Sequence, residues 1–254
     1  MRIGFAGAGN MAAAMARGWR LADPELDLVF ADAGSGRAGA CADELGGTRA
    51  DGLAGLAAEC DLLILATKPA SLETVAQELQ DAAGIIVSVL GGVTIERLQA
   101  ALPGTPIMRA MPNVAVEVGH GVVCWSPGDR LTAPQAEHTA ALLGRLGTAV
   151  ELPERLLDPA TAVIGCGPAY VAVLAEALTD AAIEHGFDSK TAARLVAATF
   201  AGTGTMLADH TSLQVRRAVA SPGGVTAAGL AALEAQSPRG ALADAVRAAL
   251  ERMG

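Results

Sequence analysis

The chain is 254 residues long, 52% hydrophobic and only 18% charged. That balance excludes an intrinsically disordered protein, which would be poor in apolar residues and rich in charge. The length fits one large domain or two modest ones, with a core that needs no disulfide or metal staple. The net charge of −9 argues against nucleic acid as a partner, because phosphate binding needs a basic face. The longest strongly apolar stretch, residues 62–66, is closed by Asp61 and Lys68 and falls far short of the ~20 residues of a membrane span. The opening MRIGFAGAGN lacks the sustained apolar core of a signal peptide. Cys41, Cys60, Cys124 and Cys166 form no CxxC pair, which points to a reducing, cytoplasmic setting.

In chain order, short β-rich runs at 2–6, 28–31, 62–66, 85–90, 107–109 and 122–125 alternate for the most part with helix-length segments. LLILA and IIVSVL are continuous rather than alternating, as strands of a parallel sheet covered on both faces should be. The pattern predicts a doubly wound α/β sheet of the Rossmann type. Its first strand runs into Gly7-Ala8-Gly9-Asn10-Met11-Ala12, the G-x-G-x-x-G/A spacing. There Gly7 permits the tight turn, Gly9 lets amides approach a pyrophosphate, and Ala12 lets helix and strand pack closely. The bland alternative is a plain strand-to-helix turn. Asp32 ends the second strand, where an acidic residue accepts from the adenosine ribose hydroxyls or stands solvated in a loop. A carboxylate there repels a 2′-phosphate, while Ser35 and Arg37 are placed to hold one, so NADH and NADPH both stay open.

After Val150-Glu151-Leu152 the strand signal ends, which divides the chain into an α/β domain, 1–152, that carries the glycine motif, and an all-α domain, 153–254. Pro168 fits the first position of a helix that ends before Gly186. Tyr170, Val173, Leu174, Ala177, Leu178, Ala181 and Ile183 form its apolar stripe. Ser189 is placed to cap a second helix carrying Ala192, Leu195, Val196, Thr199, Phe200, Thr203 and Met206 at helical spacing. These faces exceed what a domain of ~100 residues hides by itself, so a partner subunit is expected to cover them.

GAGNM at 7–11, TKP at 67–69, RAMPN at 109–113, GCGPAY at 165–170 and SPGGVT at 221–226 together resemble the pyrroline-5-carboxylate reductase family along nearly the whole chain. The resemblance implies reduction of the cyclic imine 1-pyrroline-5-carboxylate to L-proline by NADPH or NADH, the last step of proline biosynthesis. It also implies a Rossmann domain followed by a helical domain that intertwines with its twin in a homodimer, often assembled further into a decamer. By the same resemblance the cofactor contacts fall on Gly7, Ala8, Gly9, Asn10 and Met11, on Asp32, on Lys68 and Pro69, and on the turn from Ser88 to Gly91. The substrate contacts fall on Glu154, Ser221, Val225 and Thr226. The chain departs from the family's common pattern at Ala33, Leu53, Val114-Ala115 and Ala218. The first two weaken the usual NADPH preference.

For a cyclic imine bearing a carboxylate, the amides of Gly223, Gly224 and Val225 just before a helix form an anion cradle. Thr226 is placed to donate to the ring nitrogen or pass it a proton from water. The alternatives are a Pro-Gly turn, Thr226 as an N-cap, and Glu154 as a solvated residue. Lys68 is expected near the cofactor, not at the chemistry. His120, His138, His185 and His210 have no triad or metal spacing, so no metal is expected. The competing functions are another Rossmann-fold imine or hydroxyacid dehydrogenase, and an inactive nucleotide-binding regulatory protein.

Overall fold

The computed structural model describes residues 1–254 except 33, 35, 81, 83 and 254. Its contacts divide the chain into two compact units, Met1–Cys166 together with the chain end from Arg252, and Gly167–Glu251. In the first unit β1 (Arg2–Ala6), α1 (Asn10–Ala22), β2 (Asp27–Ala31), α2 (Arg37–Leu45), β3 (Thr48–Arg49), α3 (Gly52–Glu59) and β4 (Leu62–Leu65) follow one another. Then come α4 (Leu72–Glu78), β5 (Ile85–Ser88), α5 (Ile95–Ala101), β6 (Ile107–Pro112), β7 (Gly121–Pro127), α6 (Ala133–Gly144), β8 (Gly147–Glu151) and α7 (Leu157–Ala160).

The eight strands form one sheet in the order β3-β2-β1-β4-β5-β6-β7-β8. The chain reverses its direction of travel across the sheet between β1 and β4, so a crevice opens beyond their carboxyl ends, where such sheets bind ligands. Every pairing is parallel except β6 with β7. That departs from the all-parallel reading, and the connection explains it. Only the short 3-10 turn Val114–Val118 links the two strands, whereas a parallel return needs a crossover of a dozen residues or more.

Both faces of the sheet are covered, which is why LLIL reads as a continuous run. Leu62 and Ile64 join Phe5, Phe30, Met15 and Trp19 on one face; Leu63 and Leu65 join Leu56, Leu72, Ile86 and Leu98 on the other. Phe5 stacks on Phe30 with ring centroids 4.9 Å apart, and the buried Trp19 indole donates to the Leu142 carbonyl at 2.9 Å.

The helical path does not start at Pro168. It passes from α7 through a π turn, Thr161–Gly165, into α8 (Gly167–Glu184). Proline cannot donate to the carbonyl four residues back and crowds it. That carbonyl, on Ile164, accepts instead from Asn113 Nδ2 at 3.2 Å. The wider π turn is how the helix absorbs the proline.

The second unit consists of α8, α9 (Ser189–Asp209), α10 (Ser212–Val219), α11 (Val225–Ala235) and most of α12 (Pro238–Met253). Asp188, not Ser189, caps α9, its Oδ1 accepting from Thr191 N–H at 3.0 Å. Among the described residues of these five helices only Ala192 and Val196 are buried. Val173, Leu174, Leu178, Ile183, Leu195 and Met206 are all exposed. Within the run Glu154–Glu184 a stretch of 18 residues reaches a mean hydropathy of 1.6, long and apolar enough to cross a membrane by length and composition alone. Alanine and glycine dilute its pattern, so it carries no unbroken run of strongly apolar residues.

Candidate functional site

In the first unit the site begins where β1 ends. Gly7 has φ +99°, and a Cβ there would come within 2.7 Å of the Ala66 carbonyl oxygen beyond β4. Only glycine fits a turn so constrained in both dihedral and space. Gly9 is the extended N-cap of α1, and no side chain caps the helix. The first-turn N–H groups of Asn10, Met11 and Ala12 therefore lack intrahelical acceptors and present the positive end of the dipole.

Beside this loop lies a cleft of about 540 Å3 lined by Gly7, Ala8, Gly9, Asp32, Arg37, Leu53, Ala66, Thr67 and Lys68, with Ser71, Thr74, Val75 and Glu78 along its far side. Asp32 accepts from Gly34 N–H and Ala38 N–H, both at 2.8 Å. The buried Thr67 Oγ1 has no hydrogen-bond partner among the described residues. A glycine cradle without side chains, an uncapped helix start, an acceptor carboxylate and an unpaired hydroxyl fit a dinucleotide's phosphates and ribose.

Five of the expected cofactor residues, Gly7, Ala8, Gly9, Asp32 and Lys68, line this cleft. Asn10 lines a neighbouring one of about 400 Å3, where Arg17 pairs with Glu44 at 2.8 Å and Glu117 at 3.1 Å. The Arg17 guanidinium holds the Glu44 carboxyl below the usual carboxylate range. Met11, Pro69, Ser88 and Gly91 line neither cleft. Pro69 opens a 3-10 turn in which Ser71 Oγ donates to the Lys68 carbonyl at 2.8 Å. Ser88 is fully buried, its Oγ accepting from Leu90 N–H at 3.4 Å. Ala33 and Ser35 lie outside the described residues. Ser71, Thr74, Val75 and Glu78 escaped the sequence reading. Only Val75 among them is apolar, so no hydrophobic periodicity marks them.

Glu154 closes a charged cluster in the same unit. Its Oε1 accepts from Ile95 N–H at 2.6 Å and from Arg109 Nη1 at 3.2 Å. Arg109, 1% exposed, donates through Nη2 to Asp158 Oδ1 at 2.5 Å. The first residue of RAMPN thus ties β6 to the start of the helical path.

In the second unit Ser221, Pro222, Gly223 and Gly224 form a turn closed by Gly224 N–H donating to the Ser221 carbonyl at 3.0 Å. Gly223, at φ +72°, follows the proline, as in a type II turn. A Cβ on Gly224 would sit 2.5 Å from Ser221 Oγ. The turn delivers α11 with Gly224 as N-cap and no side-chain cap. Gly224 N–H is engaged in the turn, and the first-turn amides of α11 that lack intrahelical acceptors are those of Val225, Thr226 and Ala227. Thr226 is the second residue of α11 and is exposed, not an N-cap. No metal-binding cluster occurs among the described residues.

Two domain patterns match this chain: pyrroline-5-carboxylate reductase dimerisation over residues 154–254, and NADP oxidoreductase, coenzyme F420-dependent, over residues 2–92. A pyrroline-5-carboxylate reductase of Mycobacterium tuberculosis is 35% identical, with 99% of this chain and 95% of the relative aligned. The chain belongs to the pyrroline-5-carboxylate reductase family. The solved reductase of Coxiella burnetii superposes with a TM-score of 0.90 at 26% identity, covering 99% of this chain and 97% of that one. The reductase of Plasmodium falciparum, solved with NADP bound, gives 0.85 at 27% identity, covering 100% and 97%. As a member of this family the chain is an NAD(P)H-using oxidoreductase with an oligomerising helical half.

Proposed function

We propose that this chain reduces 1-pyrroline-5-carboxylate to L-proline, the step that ends proline biosynthesis. The feature that carries the reading beyond a generic Rossmann dehydrogenase is the uncapped start of α11 behind the Ser221–Gly224 turn, with Thr226 in its first turn. The amides of Val225, Thr226 and Ala227 take the substrate carboxylate, assisted by the helix dipole. The Thr226 hydroxyl donates to the ring nitrogen of the neutral imine and relays to it a proton from water, so that with hydride added at carbon the C=N bond becomes CH–NH. Bound NAD(P)H supplies the hydride that adds to the imine carbon. Gly7, Gly9, Asp32, Lys68 and Thr67 hold the dinucleotide, and Ser221 shapes the turn. Beyond that, the chain needs only near-attack geometry, because an imine polarised by a hydrogen bond at its nitrogen is already electrophilic.

The domain roles follow the same division: the Rossmann part binds the dinucleotide, and the helical part binds substrate and dimerises. Glu154 contributes to substrate binding, with one carboxylate oxygen engaged by Arg109 and Ile95. A second copy, not lipid, covers the exposed stripe of α8, because the region matching the dimerisation family, 154–254, includes all of that helix. Further assembly to a decamer belongs to this reading. So does a cytoplasmic setting, supported by four free cysteines of which three are buried. The test is oxidation of reduced nicotinamide on adding pyrroline-5-carboxylate, with proline measured as product. Dinucleotide binding without proline formation would return the chain to the competing readings, a dehydrogenase of another substrate or a regulatory protein.

A further inference from the structure

We infer that this chain binds NADH in preference to NADPH, and that Asp32 sets the preference. The inference rests on the reductase reading above. Asp32 stands just beyond β2 and lines the cleft beside the glycine loop, the position from which a Rossmann sheet reaches the adenosine ribose. Its two carboxylate oxygens accept from Gly34 N–H and Ala38 N–H at 2.8 Å. Ala38 is the second residue of α2, so a first-turn amide that could serve a phosphate already serves a fixed carboxylate.

The two cofactors differ at one group only, and that group meets this carboxylate. A ribose 2′-hydroxyl is a donor, and an ionised carboxylate is an acceptor for it. A 2′-phosphate brings negative charge against negative charge. The cleft does not offset this, since its described acids, Asp32 and Glu78, balance its described bases, Arg37 and Lys68. Arg37, which lines the cleft, donates through Nη2 to Asn10 Oδ1 at 3.2 Å.

The test is equilibrium titration of the intact protein by calorimetry, without imine substrate, using NADH and NADPH. AMP and adenosine 2′,5′-bisphosphate then isolate the extra phosphate from the nicotinamide. NADH and AMP are expected to bind at least about tenfold tighter than their 2′-phosphorylated counterparts. Equal or tighter binding of NADPH overturns the preference while leaving the reductase reading intact. Failure of both dinucleotides to bind overturns that reading as well. Asp32→Asn keeps an acceptor oxygen for the loop amides and removes the charge; Asp32→Ser removes more. Either is expected to bring the two cofactors to within about threefold of each other. Discrimination unchanged in both variants overturns the role given to Asp32. Should both variants unfold, the wild-type ratios and the adenosine bisphosphate arm still decide the preference.

Discussion

A hydroxyl placed on a reacting nitrogen is worth one hydrogen bond that strengthens as charge shifts. Thr226→Ala is therefore expected to lower kcat about tenfold or more while the fold survives. The threonine is exposed and does not cap α11, so its loss removes no structural bond. Thr226→Ser should retain most of the rate. Wild-type kcat in the alanine variant would take Thr226 out of the chemistry. Cys60 makes the opposite kind of prediction. It lies 4% exposed beneath β1 and β4, and burial pushes its thiol up to about 11 from 9.0. A thiol whose folded value exceeds its unfolded value holds its proton more tightly in the native state. Its contribution to stability is complete below pH 9.0 and is lost as pH rises toward about 11. Urea unfolding across that window should show a shallower decline for Cys60→Ala than for wild type. Parallel pH profiles would show that the thiol ionises equally in both states.

At the scale of elements, the π turn before α8 is held by a residue far away in sequence. Asn113 gives Nδ2 to the Ile164 carbonyl at 3.2 Å and accepts from Val122 N–H at 3.0 Å through Oδ1. One side chain thus joins the β6–β7 connection to the π turn that absorbs Pro168. Asn113→Ala strips partners from two part-buried backbone groups and should cost about 1–3 kcal/mol, read by urea unfolding at fixed protein concentration. Undiminished stability would show that water takes over both bonds. No local pattern in the sequence announces this contact, because Asn113 and Ile164 meet only after folding. What was legible had local causes. β1 matches its expected bounds, 2–6, residue for residue, since a strand buried on both faces reads as one apolar run. β3 has two residues, Thr48 and Arg49, too few to leave a signal. The glycine loop and the Ser221–Gly224 turn were visible because backbone shape dictates their residues. The cleft-facing side of α4 was not, because Ser71, Thr74 and Glu78 look like a solvated surface until the cleft beside them is known.

The whole molecule poses a burial problem that one chain does not solve. Leu174 is 46% exposed, Leu178 52% and Leu195 46%, although these residues lie on the apolar faces of α8 and α9. Each leucine left in water forgoes about 1.5–3 kcal/mol of transfer free energy. A helical unit with Ala192 and Val196 as its buried residues, among those described, has little core of its own. The same surface would satisfy either a bilayer or a second copy, and charge helps to separate the two. Within α8, Glu176 and Asp180 stand on the helix that would have to cross, each costing ~2.5–3.5 kcal/mol at a bilayer centre for a residue such as Asp. A protein interface places such groups at its rim at little cost. Sedimentation in detergent-free buffer should therefore give a dimer or a larger assembly, with activity in the same fraction. Leu174→Glu places an unpaired charge in that interface at a cost of several kcal/mol. It should yield a dissociated or insoluble protein with little turnover. A wild-type chain that stays monomeric and fully active at micromolar concentration would overturn the burial argument, and one that needs detergent to stay in solution would return α8 to the membrane.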